Sequence, residues 1–167
     1  IFMRSDPPVN DAYLDACTYL ESIKDEVLIV NNPSALINFN EKLCTLNFPS
    51  LIPKTFILNN ICEEDLNKYI EIFPDGIVLK PLNLCGGEGV QKYDGTNFKS
   101  LELKDDKYIV QQFIKEVYEG DKRIIILNGK PLGAILRVAK EGSFICNFHS
   151  GGKPKPAEIT KNDLYIC

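Results

Sequence analysis

The residues of this chain best suited to chemistry on an anion lie in one stretch, Gly76-Ile77-Val78-Leu79-Lys80-Pro81-Leu82-Asn83-Leu84-Cys85-Gly86-Gly87-Glu88-Gly89-Val90. The aliphatic run Ile77 to Leu79, bounded by Gly76 and Pro81, reads as a buried strand. Lys80 falls at its end, where a buried stem can hold a charged head toward a cavity. Gly86, Gly87 and Gly89 permit positive φ and close backbone approach, with N–H groups available to cradle phosphate oxygens. A plain strand followed by a tight turn accounts for the same letters. The stretch is neither G-x-x-x-x-G-K-[ST] nor G-x-G-x-x-G with its following helix.

Three further groups carry useful side chains. Gln111-Gln112-Phe113-Ile114 ends a strand, where a side-chain amide and exposed backbone groups can hydrogen-bond a flat heterocycle. Glu119-Gly120-Asp121-Lys122-Arg123 turns into a strand carrying Arg123, the following hairpin arm carries Arg137, and Asn147 lies on the next strand before Gly151-Gly152. On antiparallel neighbours Arg123 and Arg137 point to one face and can clamp a carboxylate or phosphate bidentately. Two arginines solvated on the open face of a sheet is the other reading. Lys42 sits at the edge of the apolar stripe Leu36, Phe39, Leu43, Leu46, and a solvated lysine fits there equally well.

The elements that must position these groups follow from the pattern. Ile1-Phe2-Met3 reads as a strand that exits through Arg4-Ser5-Asp6-Pro7-Pro8, stiffened by its prolines. Asn10 caps a helix with Ala12, Ala16, Tyr19, Leu20 and Ile23 on one face. Val27 to Val30 is a short strand, and Asn32-Pro33 starts a second helix that carries the Leu36 stripe. Pro53 to Leu58 leads into another strand, and Glu63 to Phe73 is a helix with Leu66, Tyr69, Ile70 and Phe73 inward. After the central stretch come strands at Tyr108–Ile114, Lys122–Leu127, Pro131–Val138 and Ser143–Phe148, with Asn128-Gly129 as a hairpin turn. Ser150 to Pro156, rich in glycine and proline, suits a loop. An α/β portion, a strand with a glycine loop and a run of antiparallel strands together indicate an α+β protein with two lobes.

Composition bounds the function. The 167 residues fit one domain or two small lobes, and 44% hydrophobic with 25% charged residues is ordinary for a globular protein. A net charge of -4 argues against nucleic acid as partner, while still allowing a small anion held by locally focused cations. No apolar run approaches the roughly 18 residues that span a bilayer. The six cysteines contain no C-x-x-C pair and stand beside a single histidine, His149, which reads as reduced, mostly buried thiols in a cytoplasmic protein and not as a zinc site.

Taken in order, these motifs resemble the middle of a bacterial-type glutathione synthetase of the ATP-grasp superfamily. The likeness runs from Ile1 to about Asp163. It is carried by Met3 to Pro8, Leu28 to Pro33, Asn40 to Leu43, Val78 to Leu82, Gly86-Gly87, Gln111 to Ile114, Gly120 to Arg123, Asn128-Gly129 and Asn147 to Gly152. The resemblance implies an ATP-grasp-like fold of two α/β lobes with a nucleotide cleft between them. It makes residues 1–40 the remnant of an N-terminal substrate domain and 41–167 an ATP-grasp domain incomplete at its C-terminus. It further implies ATP-dependent ligation of glycine to γ-glutamylcysteine through an acyl phosphate, with Mg²⁺, by a cytoplasmic and often homo-oligomeric enzyme that binds neither nucleic acid nor membrane.

Residue by residue, the resemblance assigns Lys42 and Lys80 to the ATP phosphates, with the Leu84–Gly89 loop, including Gly86 and Gly87, as a flap over them. Gln112, Phe113 and Ile114 line the adenine, and Asp121 faces the ribose. Arg123 and Arg137 steady the transferring phosphoryl group. Asn147, Gly151 and Gly152 hold the intermediate and peptide, and Arg4 contributes to the peptide pocket. The chain departs from the family at Ile145 and Cys146, where an arginine and a small residue are usual, at Lys115 in place of a proline, and in the apolar Leu84 and Cys85. The family's Mg²⁺ ligands fall beyond Cys167, so this chain alone is expected to be inactive. An ATP-grasp ligase for another peptide or amino acid, or a non-catalytic nucleotide-binding fragment, fits the same letters.

Overall fold

The computed structural model describes residues 1–5, 9–104 and 107–167. Asp6, Pro7 and Pro8 of the Arg-Ser-Asp-Pro-Pro motif lie outside the described residues. Helix α1 (Asp11–Ser22) starts where Asn10 accepts from the Tyr13 N–H, as expected. Its inward face differs from the expected one. Cys17 and Leu20 are buried with Met3, against Tyr13, Ile23, Ile29 and Leu36, while Ala12, Ala16 and Tyr19 face out. Two alanines offer little apolar area, and the Tyr13–Cys17–Leu20 stripe buries more.

The Val27–Val30 strand does not form. A single parallel bridge joins Phe2 to Val30, with the Val30 N–H donating to the Ile1 carbonyl at 2.9 Å. Helix α2 (Pro33–Asn38) begins as expected, with Asn32 accepting from the Ala35 N–H, but it is short. Asn40 ends the apolar stripe: its Oδ1 accepts from the N–H groups of Lys42 and Leu43, so a new turn starts there and Phe39 is left exposed. A 3₁₀ turn, Cys44–Asn47, follows.

Strands β1 (Thr55–Asn59), β2 (Ile77–Pro81), β3 (Gln91–Tyr93) and β4 (Lys107–Gln112) form an antiparallel sheet in the order β1-β4-β2-β3. Helix α3 (Glu63–Ile72) covers one face. Leu66 and Phe73 pack there on Ile77, Leu79, Tyr93, Tyr108 and Val110, flanked by Tyr69 and Ile70, so the expected inward stripe holds. Because side chains alternate along a strand, burying Ile77 and Leu79 against α3 turns Val78 and Lys80 to the opposite face.

The second sheet is β5 (Asp121–Leu127), β6 (Lys130–Val138) and β7 (Lys153–Pro156), again antiparallel. Asn128 and Gly129 both take positive φ, 50° and 72°, as a tight hairpin of matching twist requires. Two expectations reverse here. Ser143–Phe148 is irregular, and the presumed loop supplies β7 instead. The free edge of β6 is occupied by β7, whose Pro154 and Pro156 suit an edge strand paired on one side only. With helices and two antiparallel sheets, the fold class is α+β.

The cysteines correct a further expectation. All six are free, but only Cys17 and Cys146 are buried, while Cys62, Cys85 and Cys167 are exposed. Among the described residues no helix is long and apolar enough to cross a membrane.

Candidate functional site

Lys80 is the penultimate residue of β2, partly buried on the face turned away from α3, and its Nζ donates to Gln111 Oε1 at 2.6 Å. Burial pushes its pKa below the usual lysine value, and the positive charge of Lys42 pushes it the same way. Lys42 stands on the turn that Asn40 starts. Its Nζ donates to the carbonyls of Leu82 (3.3 Å) and Leu84 and pairs with Glu41 at 3.2 Å. Lys42 is therefore no solvated lysine at a stripe's edge: it holds the chain entering the glycine loop.

The loop itself needs its glycines. Gly86, Gly87 and Gly89 take φ of 67°, 90° and 67°, a region that costs other residues about 1–2 kcal/mol. A Cβ on Gly87 would lie 2.7 Å from Ile145 Cγ2 and 3.1 Å from Asn147 Oδ1. The loop thus reaches from the first sheet to the segment after β6, roofing a cavity of about 380 Å³. Its walls hold both lysines, Gly86, Gly87, Gln112, Phe113, Ile114, Asp121 and Asn147, so residues from widely separated parts of the sequence meet here. Val78, Val90, Val117, Phe144 and Ile145 add an apolar lining.

Phe113 contributes little ring surface. Its ring meets Tyr118 and Phe144 edge-on at centroid distances of 5.8 and 5.7 Å, with Lys92 Nζ 3.9 Å from its centroid. The N–H groups of Gln112 and Phe113 already donate to the carbonyls of Lys54 and Gly76. Those two donors are therefore not free for a heterocycle, which leaves Ile114 and the Gln112 side chain as the more available parts of that wall.

Asp121 and Arg137 are paired in register across β5 and β6. Arg137 Nε and Nη2 grip the Asp121 carboxylate at 2.6 and 2.7 Å, and this bond holds the guanidinium pKa above its usual value. Arg123, two residues along β5, shares that face by alternation and is exposed. A joint arginine clamp is thus not what the structure contains: Arg137 is engaged in fixing Asp121 at the cavity wall, and Arg123 lies outside the cavity lining.

Arg4 is exposed and does not line the cavity. Gly151 is exposed, while Gly152 packs on the backbone of the Cys146–Asn147 wall. The Gly152 N–H donates to the Asn147 carbonyl at 3.1 Å, and a Cβ on Gly152 would lie 2.1 Å from the Cys146 carbonyl oxygen. They shape the turn that presents Asn147, which caps a short 3₁₀ turn instead of sitting on a strand. Thr55, Val117 and Phe144 belong to the site's walls or supports and carry no motif, while Gln111, read in the sequence as part of a base-binding segment, instead bonds Thr55 and Lys80.

Residues 41–167 match the model of the prokaryotic glutathione synthetase ATP-grasp domain, and residues 1–36 match that family's N-terminal domain. The chain belongs to the prokaryotic glutathione synthetase family. The glutathione synthetase of Agrobacterium fabrum is 38% identical over the whole chain, which covers 54% of that protein. That of Synechococcus elongatus is 41% identical, again over the whole chain and 53% of the relative. The chain therefore spans about half the length of the curated relatives it matches. Among solved structures, D-cycloserine synthetase DcsG superposes with a TM-score of 0.65 at 12% identity, over 93% of this chain and 58% of that one. D-alanyl-alanine synthetase A from Vibrio cholerae does so with 0.57 at 16% identity, over 88% and 51%. At such identities these two establish the shared fold alone, and the ATP-grasp-like α+β fold expected of the chain is the one observed. ATP use goes with the ATP-grasp family. Among the described residues no three His, Cys, Asp or Glu side chains converge as a metal site would require.

Proposed function

We propose that the protein containing this chain ligates glycine to γ-glutamylcysteine at the expense of ATP, and that the cavity beneath the glycine loop is its nucleotide site. The observation that carries this reading is Lys80: a partly buried ammonium without a carboxylate in an ion pair among the described residues, beside a second lysine and under a glycine roof. Such an arrangement is unfavourable until an anion enters, and polyphosphate supplies one. Ile114 and the Gln112 side chain border the end suited to a flat base, and Asp121, fixed by Arg137, stands at the ribose side. Lys42 and Lys80 bind the phosphates, the loop excludes water, and Asn147 meets the acyl phosphate where glycine attacks. Chemistry of this type works by positioning and charge neutralisation, so the lone His149 need not act as a base.

Within this reading, residues 1–40 belong to the N-terminal substrate domain and 41–167 to the ATP-grasp domain. Mg²⁺ carried in with the nucleotide would supply further charge neutralisation at the phosphates. Arg123 and Arg4 act on parts of the substrates that extend beyond the cavity, Gly151 and Gly152 act through the turn that presents Asn147, and the free thiols suit the reducing cytoplasm. The test is calorimetric titration of the chain with ATP, with and without Mg²⁺, beside Lys80→Ala. Binding that Lys80→Ala abolishes is expected; no binding by the unaltered chain would sink the nucleotide-site reading.

A further inference from the structure

The cavity is not short of acids, yet Lys80 is bound to none of them. Asp121 is gripped by Arg137 and Glu41 is paired with Lys42, while Glu88 rides on the glycine loop. The acceptor of the Lys80 ammonium is the neutral Gln111 amide, at 2.6 Å.

That amide has one permitted orientation. Thr55 stands directly opposite Gln111 on β1, and its hydroxyl donates to the Pro53 carbonyl at 2.6 Å. With its hydrogen committed, Thr55 Oγ1 offers only lone pairs, and Gln111 Nε2 donates to it at 2.8 Å. The amide oxygen must then face Lys80. Turned over, the amide would set N–H against ammonium and oxygen against a hydroxyl with no hydrogen to give. Three adjacent strands thus supply one face: Thr55 on β1, Gln111 on β4 and, diagonally, Lys80 on β2, two residues beyond Gln111's register partner Val78.

We infer that Gln111, oriented by Thr55, is a positioning residue that aims the Lys80 ammonium into the cavity through a neutral acceptor and so leaves its full charge for the nucleotide phosphates. The inference rests on the nucleotide-site reading for its purpose, though not for its geometry. A glutamate at this position would fit the same space and form an ion pair that an entering phosphate must break. An apolar residue would leave the ammonium with one fewer partner. The other charged groups on the walls of the cavity that Lys80 enters are Lys42, which acts on it directly, and Glu41 from the turn after α2, Glu88 from the loop and Asp121 from β5.

The test uses the 167-residue chain with ¹⁵N-labelled lysine. The Lys80 Nζ titration is followed by NMR, and ATP affinity is measured by calorimetry from neutral to alkaline pH. Gln111→Met is expected to lower the Lys80 titration midpoint and to move the alkaline loss of ATP binding to lower pH. Gln111→Glu is expected to raise that midpoint yet weaken ATP binding at neutral pH about tenfold, the scale of one hydrogen bond to a charged group. Thr55→Val, which frees the amide to turn, is expected to lower the midpoint by less than Gln111→Met does, and Thr55→Ser to restore the unaltered profile. A Lys80 midpoint indifferent to Gln111→Met and Gln111→Glu would overturn the inference, as would a Gln111→Glu chain that binds ATP as tightly as the original. If the unaltered chain fails to bind ATP, the nucleotide-site reading falls, while the Lys80 titration still decides whether Gln111 positions that ammonium.

Discussion

Gly87→Ala is the sharpest test of the roofed cavity. Two costs arise at this position. A φ of 90° lies outside the comfortable range of an alanine, at about 1–2 kcal/mol. The new Cβ would also stand 2.7 Å from Ile145 Cγ2, closer than such atoms approach. Ile145 is branched at Cβ and stiff about χ1, so its methyl cannot swing far, and relief of the overlap costs about 1–3 kcal/mol. Together the closed loop becomes less favourable by about 2–5 kcal/mol. If ATP binds only beneath the closed loop, even the lower figure weakens binding about thirtyfold. Gly86→Ala is the internal control. Its φ of 67° lies in the ordinary left-handed region and the nearest atom to its Cβ is His149 Cδ2 at 3.9 Å, so only backbone strain of about 1 kcal/mol applies, near fivefold. Calorimetric titration of both variants with ATP, together with the Ile145 methyl resonance in the ligand-free chain, reads the difference. Equal losses for the two variants, with an unshifted Ile145 methyl, would show that the loop does not rest on Ile145 and would refute the argument.

Three other outcomes follow from the same geometry. Leu79→Ala empties a fully buried position under α3, and its free energy of unfolding in urea should fall by about 2–5 kcal/mol. Asp163 caps helix α4 (Lys161–Ile166) and pairs with Lys122 at 2.7 Å, and its pKa is lowered to about 2. A depressed carboxylate stabilises above its unfolded value and loses that contribution as pH falls, so the tie between α4 and β5 should hold at pH 5 and release as pH drops through about 2, which an NMR titration of the Asp163 carboxyl would follow. Lys80 runs the opposite way: its pKa is depressed by burial and by Lys42, so its charged form is disfavoured until an anion arrives. ATP binding at alkaline pH should therefore take up protons, seen as a buffer-dependent heat, and Lys80→Met should abolish the uptake.

Much of the fold was legible because local chemistry and global packing agree. Asn10 and Asn32 cap helices that form, Asn128-Gly129 makes the hairpin, and the Leu66–Phe73 stripe faces the sheet. The misreadings occur where partners distant in sequence decide. Val27–Val30 has the letters of a strand but only a bridge to pair with, and Ser143–Phe148 is displaced because Lys153–Pro156 takes the one edge that β6 has left. Asn40 shows a third cause: a side chain competing with the helix for backbone N–H groups stops a stripe whose period runs straight through it.

The candidate site divides along the same line. Lys80 and the glycines stand out in the sequence as a lone charge after an aliphatic run and three glycines in four residues, although a plain strand and tight turn would use the same letters. What those residues rest on does not stand out. Arg137 reads as a free cation until the register sets Asp121 opposite it, and Gln111 reads as a base-binding amide until Thr55 turns its oxygen toward Lys80. In both cases the residue type is compatible with two jobs, and the donor–acceptor count across neighbouring strands selects one. A carboxylate holds the arginine still, whereas an uncharged amide holds the lysine still. The lysine, then, is the cation left with its charge unspent, and the place in this cleft where a phosphate gains most is beside it.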